Sequence, residues 1–415
     1  MIRVVVTGLG PVTPIGIGKE AFWQGILAER SAIDYLRAFD ASPFHAKASA
    51  EMRDFQPEAY FPPHRLKRLD RFAQLALLSA RFAIADAGLE CSSAEPRPRF
   101  GVSFGSALGG FSFAEEQHAI FLEHGPKAIA RPLAFRIFGG AAHANIAMEY
   151  GLQGPGTGNS NSCASGNTAI GDAFRFIREG VADVMIAGAA EAPLSPLTFA
   201  AFDNINTMSR RDVDPIARAY CPFERRRDGF VMGEGAAALV LESWEHAQAR
   251  GADIYGEVIA FSLTNEAHHM TSPDPSGEPL RRTIQLALDQ ARLEPNQIDY
   301  INAHASATQM NDINEAQCVA QLFGRNGNTP PPLSGTKAYT GHALGAAGAI
   351  EAAATLLAMR ESHLIPTLHL EEIDPSLPPL DYVPNTGRDG VTIRHALNLS
   401  LGFGGINSCL ALGKT

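Results

Sequence analysis

Short apolar runs rich in β-branched residues recur along this chain and alternate with stretches of helical periodicity. Glycine or proline bounds the runs, as is typical of buried strands. They lie at residues 4–6, 184–187, 238–241, 258–261 and 300–302. Two of the intervening stretches carry apolar residues at every third or fourth position, from Ile170 to Ile177 and from Ala346 to Leu357. Strands that alternate with helices predict an α/β layered architecture.

The chain is longer than one hydrophobic core usually supports. Its 415 residues predict two domains or two fused halves. A helical segment ends and a new strand begins around residues 250–253, which predicts an N-terminal half at 1–252 and a C-terminal half at 253–415. The two best-defined helices each follow a glycine-rich turn with a reactive residue, Cys163 in one case and His342 in the other. That parallel indicates an internal duplication.

Charge and cysteine usage exclude several classes of function. The net charge of −10 disfavours non-specific nucleic-acid binding, which needs Lys and Arg to neutralise phosphates. The chain begins with a strand pattern, without the features of a signal peptide, and no apolar run is long enough to span a bilayer. Five separated cysteines without a C-x-x-C pair predict neither a disulfide framework nor a zinc site. We therefore expect a cytoplasmic protein without a bound metal.

Cys163 stands where the turn-rich residues 154–162 give way to an apolar helical period. A cysteine at the start of a helix faces unpaired backbone N–H groups and the positive end of the helix dipole, which lower the pKa of its thiol. The same N–H groups can hold the oxyanion that forms when a thioester is attacked. We therefore expect Cys163 to be a nucleophile in acyl transfer. Buried small side chains are expected at the remaining cysteines, Cys91, Cys221, Cys318 and Cys409.

Two histidines also lie in turns of small residues. His304 follows a predicted strand, and His342 enters a glycine-spaced helix. In an open α/β sheet, ligands bind at the carboxyl ends of the strands. Two neutral imidazole N–H groups aimed at a thioester oxygen would stabilise the negative charge of an enolate. Together with Cys163, they predict a site for thioester chemistry.

Lys337 precedes His342 by five residues. We expect it to set the electrostatics of the site, paired with Glu315, and an ordinary structural ion pair is the alternative. A further pair, His268 and His269, leads into the turn-forming residues 271–275. This pattern predicts a loop at the mouth of the site and no metal centre.

Residues 7–13 contain a Gly-x-Gly sequence that is weakly similar to a dinucleotide-binding turn. Thr13 takes the place of the third glycine, and Pro11 and Pro14 prevent a helix from starting at once. The phosphate-cradling geometry is therefore not met. A tight turn is predicted here instead.

Taken together, these motifs resemble the β-ketoacyl carrier-protein synthases of the thiolase superfamily, above all the elongating type II synthase and its type II polyketide relatives. The resemblance covers nearly the whole chain, and several ordered motifs are far more specific than one. They are residues 154–170, 222–235, 302–312, 337–348 and 402–407. The resemblance implies an α/β fold, a thiolase-like five-layer αβαβα sandwich built from two duplicated halves, and a homodimer.

The resemblance also implies decarboxylative Claisen condensation by ping-pong catalysis. Cys163 would take the acyl group from acyl carrier protein (ACP). His304 and His342 would support decarboxylation of malonyl-ACP and stabilise the enolate. No cofactor is implied, because the substrates arrive on the phosphopantetheine arm of the carrier protein.

Supporting residues follow from the same resemblance. Lys337 with Glu315 would give electrostatic support, and Phe403 would act as a gate whose backbone N–H joins that of Cys163 in the oxyanion hole. Contacts to the acyl chain and the pantetheine arm are implied at Leu108, Phe202, Thr271, Ser306, Thr308, Gly402 and Gly404. A basic patch that would bind the acidic carrier protein by charge complementarity is implied at Arg65, Lys67, Arg68, Lys127, Arg210 and Arg211.

The chain departs from the family pattern at three places. After His304 the family has Gly-Thr-Gly/Ser-Thr, whereas residues 305–308 read Ala-Ser-Ala-Thr, which predicts a stiffer loop. Near the gate, Leu399 and Leu401 replace an asparagine and a phenylalanine. Asn161-Ser162 precedes the cysteine where small apolar residues or Thr-Ala are common. These changes affect the gate and the pantetheine tunnel but not the catalytic trio.

Fatty-acyl elongation is the favoured function. The alternative is a dedicated type II polyketide or polyene ketosynthase that forms a heterodimer with a non-catalytic chain-length-factor-like subunit. A thiolase would need a second reactive cysteine near the C-terminus, and Cys409 lies in an apolar, strand-like run. The intact Cys163 disfavours a non-catalytic subunit.

Overall fold

The computed structural model describes residues 2–415. Its strands are β1 Val4–Thr13, β2 Gly16–Ile17, β3 Asp34–Tyr35, β4 Ala48–Ala50, β5 Phe100–Gly105, β6 Gly156–Asn159, β7 Val184–Glu191, β8 Met232–Gly233, β9 Gly235–Ser243, β10 Gly256–Asn265, β11 Tyr300–Asn302, β12 Leu333–Ser334, β13 His363–Leu364, β14 Arg388–Asp389, β15 His395–Gly402 and β16 Ile406–Gly413. Its helices are α1 Lys19–Leu27, α2 Pro63–Leu66, α3 Arg71–Asp86, α4 Phe111–His124, α5 Leu133–Ile137, α6 Ala141–Tyr150, α7 Ser165–Arg178, α8 Pro196–Asn204, α9 Trp244–Ala249, α10 Glu278–Ala291, α11 Gln309–Phe323, α12 Lys337–Thr340 and α13 Ala347–Glu361. Short 3-10 segments include Ser162–Ala164 and Leu344–Ala346.

The first half of the chain forms five neighbouring strands in the order β6-β5-β7-β9-β1. The strands β6, β5 and β7 run parallel to one another. The next strand, β9, is antiparallel to both β7 and β1. Every residue of β1, β7 and β9 is buried, which fits strands that are covered on both faces.

The second half repeats this topology. Its order is β12-β11-β15-β16-β10, with β12, β11 and β15 parallel and β16 antiparallel to both β15 and β10. Counted along each half, both sets therefore have the order 3-2-4-5-1 with the same strand directions. The two sets meet where β1 pairs with β10, at Val5–Glu257 and Val6–Gly256. This identity confirms the expected duplication, while the division between residues 252 and 253 stays a prediction.

Helices and half-sheets are arranged in five layers. The helices α7 and α13 pack against each other and contact strands of both half-sheets. On the outside, α3 and α6 cover the first half-sheet, and α10 and α11 lie on the second half. The prediction of one apolar face is confirmed for α7, whereas α13 is buried on more faces than predicted. Residues 347–359 of α13 are all buried, because this helix lies in the central layer.

The predicted strands are all present, and most of them are longer than the apolar runs that predicted them. The predicted tight turn at residues 7–13 is wrong, since β1 continues to Thr13 with an irregularity between Val6 and Gly8. Gly8 and Gly10 instead allow a helix to pack closely against this strand. A Cβ at Gly8 would lie 2.2 Å from Ala83 O, and one at Gly10 would lie 2.0 Å from Ser79 O. Glycine thus lets α3 lie directly against the strand.

Within residues 2–415, no helix combines the length and the apolar character that a bilayer crossing requires.

Candidate active site

The backbone around Cys163 holds its side chain at the entrance of a buried helix. The chain leaves β6, passes through the 3-10 segment Ser162–Ala164 and enters α7. Ser162 has φ of 48°, in the left-handed region, and its carbonyl accepts a hydrogen bond of 2.7 Å from Ser165 Oγ. The predicted position of Cys163 near a helix N-terminus is thus observed.

The two histidines approach Cys163 from the second half of the chain. His304 follows β11, and His342 precedes the 3-10 segment that leads into α13. The distance from His342 Nε2 to Cys163 Sγ is 3.2 Å, and the two imidazole centroids are 5.3 Å apart. The sulfur of Cys163 and one ring nitrogen of each histidine all lie within 4.8 Å of one another. The structure therefore brings the three predicted residues together in one cavity of about 700 Å³.

Both imidazoles are held neutral. Burial, together with the positive charge of Lys337, lowers the pKa of His304 well below its ordinary value. The same two causes act on the pKa of His342. Neutral imidazoles can donate an N–H to a developing negative charge, and they can also accept a proton. A Cys-His-His group of this spacing has the donor types of a metal site as well.

The expectation of a lowered thiol pKa at Cys163 is wrong. Burial raises the pKa of this thiol to about 12, and Lys337 opposes the rise only in part. The surrounding protein keeps water away from the sulfur, which disfavours the charged thiolate and raises the thiol pKa. This effect is larger than the lowering of the pKa by the helix N-terminus. The resting residue is accordingly a thiol. Its proton needs an acceptor, and His342 Nε2 is within reach at 3.2 Å.

Lys337 is buried beside the trio, but its expected pairing with Glu315 is wrong. Its ammonium pairs with Glu351 of α13 and donates to His304 O at 2.6 Å. Both oxygens of Glu315 are engaged elsewhere, since they accept the backbone N–H groups of His304 at 2.6 Å and of Ala305 at 2.9 Å. Lys337 thus holds the His304 backbone and α13 together, and Glu315 fixes the turn that carries His304.

Two buried glutamates of the site were missed from the sequence. Glu351 is an acid inside the apolar period of α13, and that exception was the available signal. Glu191, at the end of β7, accepts the backbone N–H groups of Ala107, Leu108 and Gly345. Burial raises the pKa of Glu191 to about 7. Through these bonds Glu191 connects the loop of Leu108 to the turn that leads into α13.

We expect Lys337→Met to destabilise the fold, because it leaves Glu351 as an unpaired buried acid. Removing one partner of a buried ion pair costs about 3–5 kcal/mol of the free energy of unfolding. Urea unfolding of both proteins measures the difference. The control is Arg225→Met, which breaks an ion pair with Glu372 at the surface. If the two variants lost similar amounts of the free energy of unfolding, the stabilising role given to the buried Lys337 would be contradicted.

Most residues implied for substrate binding line the cavity. They are Leu108, Phe202, Thr271, Ser306, Thr308 and Gly402, together with Phe403. Phe403, the residue expected to form the gate, stacks on Phe202, which is expected in the acyl-pocket wall, with ring centroids 6.0 Å apart. Gly404 is the exception: Gly405 lines the cavity in its place, while Gly404 N–H donates to Met270 O at 2.7 Å. The loop that carries His269 also borders the cavity, as predicted.

The departures from the family pattern have visible consequences. Ala305 has φ of 42° and Ala307 has φ of 61°, so two alanines occupy backbone conformations that favour glycine. The stiffer loop expected after His304 stays a prediction. Leu401 lines the cavity next to the gate, whereas Leu399 is fully buried behind it.

The implied basic patch divides into two groups. Lys67, Arg68, Lys127 and Arg210 are exposed. Arg65 and Arg211 instead make contacts within the chain, Arg65 with Glu149 at 2.7 Å and Arg211 with the Arg218 carbonyl at 2.8 Å. Arg210 also contacts Asp203 within the chain, so the free charge of the patch comes mainly from Lys67, Arg68 and Lys127.

Comparisons with known proteins agree over the whole chain. Residues 1–247 match the family described as Beta-ketoacyl synthase, N-terminal domain, and residues 255–371 match the corresponding C-terminal domain. A Synechocystis protein named 3-oxoacyl-[acyl-carrier-protein] synthase 2 is 40% identical over 99% of this chain and 98% of its own length. A protein of the same name from Staphylococcus aureus is 38% identical over 100% of this chain and 98% of its own length.

Solved structures of similar proteins superpose closely. A ketosynthase in complex with its type II polyketide acyl-carrier protein has a TM-score of 0.92 at 35% identity, with both chains fully covered. The ishigamide ketosynthase/chain length factor has a TM-score of 0.91 at 33% identity, covering 100% of this chain and 99% of its own. A beta-ketoacyl synthase from Burkholderia phymatum reaches 0.92 at 35% identity, again with both chains fully covered. These likenesses confirm the thiolase-like fold expected from the sequence.

Proposed function

The chain belongs to the β-ketoacyl synthase family, and on this premise we propose that Cys163, His304 and His342 are the catalytic residues of its condensing reaction. The enzyme is an acyltransferase that extends an acyl chain by decarboxylative Claisen condensation with malonyl-ACP. One observation carries the assignment of residues: the three reactive side chains meet within 4.8 Å in a single cavity.

In the first half-reaction, Cys163 Sγ attacks the carbonyl carbon of acyl-ACP. His342 Nε2, 3.2 Å from the sulfur, accepts the thiol proton. The tetrahedral oxyanion is held by the backbone N–H groups of Cys163 and Phe403. The C–S bond to pantetheine then breaks, and its thiolate takes the proton from His342. The products are acyl-Cys163 and free carrier-protein thiol.

In the second half-reaction, malonyl-ACP loses its carboxylate as carbon dioxide. The electron pair of the broken C–C bond forms an enolate, whose oxygen accepts hydrogen bonds from the N–H groups of His304 and His342. For this step His342 is in the Nε2–H tautomer, which it reaches by proton exchange with solvent after the first product leaves. The enolate carbon attacks the acyl-Cys163 carbonyl, and a new C–C bond forms. Expulsion of the Cys163 thiolate releases β-ketoacyl-ACP, and a proton taken up from solvent restores the thiol.

The function is tested by intact-protein mass spectrometry after incubation with a panel of acyl-ACPs. A preference for loading saturated chains supports fatty-acyl elongation. Exclusive loading of unsaturated or aryl starters would instead support a dedicated polyketide or polyene ketosynthase. Two solved relatives make this the second candidate: a ketosynthase in complex with a type II polyketide acyl-carrier protein, at 35% identity, and a ketosynthase/chain length factor, at 33%.

Carrier-protein docking is proposed at the exposed part of the basic patch. The double variant Lys67→Glu, Arg68→Glu is expected to raise KM for acyl-ACP about tenfold with kcat nearly unchanged, because these charges attract the acidic partner without touching the reacting atoms. The measurement is steady-state kinetics at low and high salt. The matched control reverses the charge of Arg282 and Arg292, two exposed arginines on or next to α10, by replacing both with glutamate. Equal effects in both double variants would contradict this docking surface.

A homodimer is proposed through the open edge of the first half-sheet. β6 ends the strand order, and its residues are exposed or half-buried, whereas the corresponding β12 is buried. Exposed apolar side chains surround that edge on and around α4, α5 and α6. They include Phe111, Phe121, Leu122, Phe135, Phe138 and Met148. Such a combination of strand edge and apolar area fits a two-fold interface.

Light scattering is expected to give twice the 44.3 kDa of one chain, and Met148→Glu is expected to shift the mass toward the monomer. A monomer at micromolar concentration would contradict the homodimer and favour pairing with a different, chain-length-factor-like subunit. The cytoplasmic location and the independence from cofactors stay predictions.

A further inference from the structure

A cluster of buried amide and hydroxyl groups lies behind the catalytic trio, where β15 faces the central helices. Asn398 and Ser400 of β15 and Asn167 of α7 are all fully buried. Buried polar side chains in a low-dielectric interior are costly unless they are hydrogen-bonded, and a bonded network fixes one arrangement of its neighbours. Ser400 Oγ has no hydrogen-bond partner, so it is the bonds of the two asparagines that indicate which elements the cluster holds in place.

Asn398 connects three elements through one side chain. Its Nδ2 donates to Asn167 Oδ1 on α7 at 2.8 Å and to Gly348 O on α13 at 2.9 Å. In return, Asn167 Nδ2 donates to Asn398 O at 3.1 Å. A Cβ at Gly348 would lie 2.8 Å from Asn167 Oδ1 and 2.7 Å from Ser400 Oγ. Glycine at that position is what allows the amides to approach α13.

Each bonded residue lies shortly before or after a residue of the site. Asn167 follows Cys163 by four residues, and Gly348 follows His342 by six. Asn398 precedes Gly402 by four residues. Gly402 itself lies against the nucleophile, since its Cβ would be 3.2 Å from Cys163 N. The cluster thus ties the helix of the nucleophile, the helix of the histidine and the strand of the gate.

We propose that Asn398 is a positioning residue: its amide holds α7 and α13 at the separation that keeps Cys163 Sγ within hydrogen-bond distance of His342 Nε2. This role builds on the proposed functions of Cys163 and His342. The two atoms belong to opposite halves of the chain, so their distance depends on how α7 and α13 are aligned. A displacement of about 1 Å between reacting groups can cost about a hundredfold in rate.

The test replaces Asn398 with leucine, which has a similar size and no amide. We expect kcat to fall about tenfold to a hundredfold, with KM for acyl-ACP within about twofold of the parent. Alkylation of Cys163 by iodoacetamide, followed by mass spectrometry across pH, is expected to shift to higher pH because the thiol loses its proton acceptor. Asn167→Ala retains the bond from Asn398 to Gly348, so smaller changes in the same direction are expected.

Thr283→Val is the matched control for lost stability. Thr283 is equally buried, and its hydroxyl bonds Thr264 Oγ1 at 2.6 Å, but it lies on α10 in an outer layer. It is expected to lower the Tm without changing kcat or the alkylation profile. If Asn398→Leu behaves like Thr283→Val, or fails to fold while Asn167→Ala is unchanged in both readouts, the positioning role is overturned. Alkylation needs no carrier protein, so its result stands apart from the acyl-loading test of the proposed function.

Discussion

Cys163→Ala is expected to abolish both acyl loading and condensation. No other cysteine can take over the reaction, because Cys221, Cys318 and Cys409 are buried in the fold and Cys91 lies with the outer helices of the first half. Loss of a covalent nucleophile typically costs a factor of about 10⁴ or more in turnover. Intact mass after incubation with acyl-ACP measures loading, and release of β-ketoacyl-ACP measures condensation.

Cys221→Ala is the matched control, since Cys221 is a buried thiol whose pKa is also raised to about 12 by burial. It is expected to load and condense like the parent. An acyl adduct that persists in Cys163→Ala would contradict the assignment, and peptide mapping would then identify the true nucleophile.

Alanine at His304 or at His342 is expected to slow malonyl decarboxylation about a hundredfold to a thousandfold, with a smaller effect on acyl loading. Each imidazole supplies one donor to the enolate oxygen, and removing one such donor typically costs that much in kcat. His304→Ala retains every group that loading uses, namely Cys163, the oxyanion hole and the proton acceptor. His342→Ala also loses the acceptor that lies 3.2 Å from Cys163 Sγ, so its loading is expected to fall more than that of His304→Ala. Release of carbon dioxide from malonyl-ACP and intact-mass kinetics of loading measure the two steps separately.

Decarboxylation in the parent enzyme is also expected to stay level as pH falls through about 6.5. Burial lowers the pKa of both histidines, so the imidazoles remain neutral where an ordinary histidine gains a proton. His269→Ala, at the mouth of the same cavity, is the control and is expected to leave both steps unchanged. Equal losses of loading and decarboxylation in His304→Ala would refute the role given to that residue.

The local pattern of the sequence predicted those features that depend on neighbouring residues. Strands such as β11 followed from apolar runs, and the start of α7 followed from the turn-rich approach to Cys163. What failed depends on residues far apart in the chain. Glu351, not Glu315, pairs with Lys337, because both oxygens of Glu315 are bonded to the backbone of its own turn.

Burial was the other quantity that local patterns could not supply. The raised pKa of Cys163 results from the surrounding protein, whereas its position at a helix start had suggested the opposite. Similarly, the sequence period of α13 predicted one apolar face, whereas a helix in the central layer is buried on every face. The resemblance to a known family provided the identity of the cavity-lining residues, which no spacing within the chain indicated.

The repeated 3-2-4-5-1 strand order implies a history as well as a shape. An ancestral unit present in two copies would have carried equivalent helix entrances, and in this chain one entrance bears the sulfur while the other bears an imidazole. The two halves thus supply different reactive groups to one shared site. Each central helix packs on strands of its own half and also against the helix and strands of the other half. A chain without one of the halves would lack part of the Cys163, His304 and His342 site, and it would expose the apolar face of the remaining central helix to water. Both halves are therefore needed for folding and for catalysis.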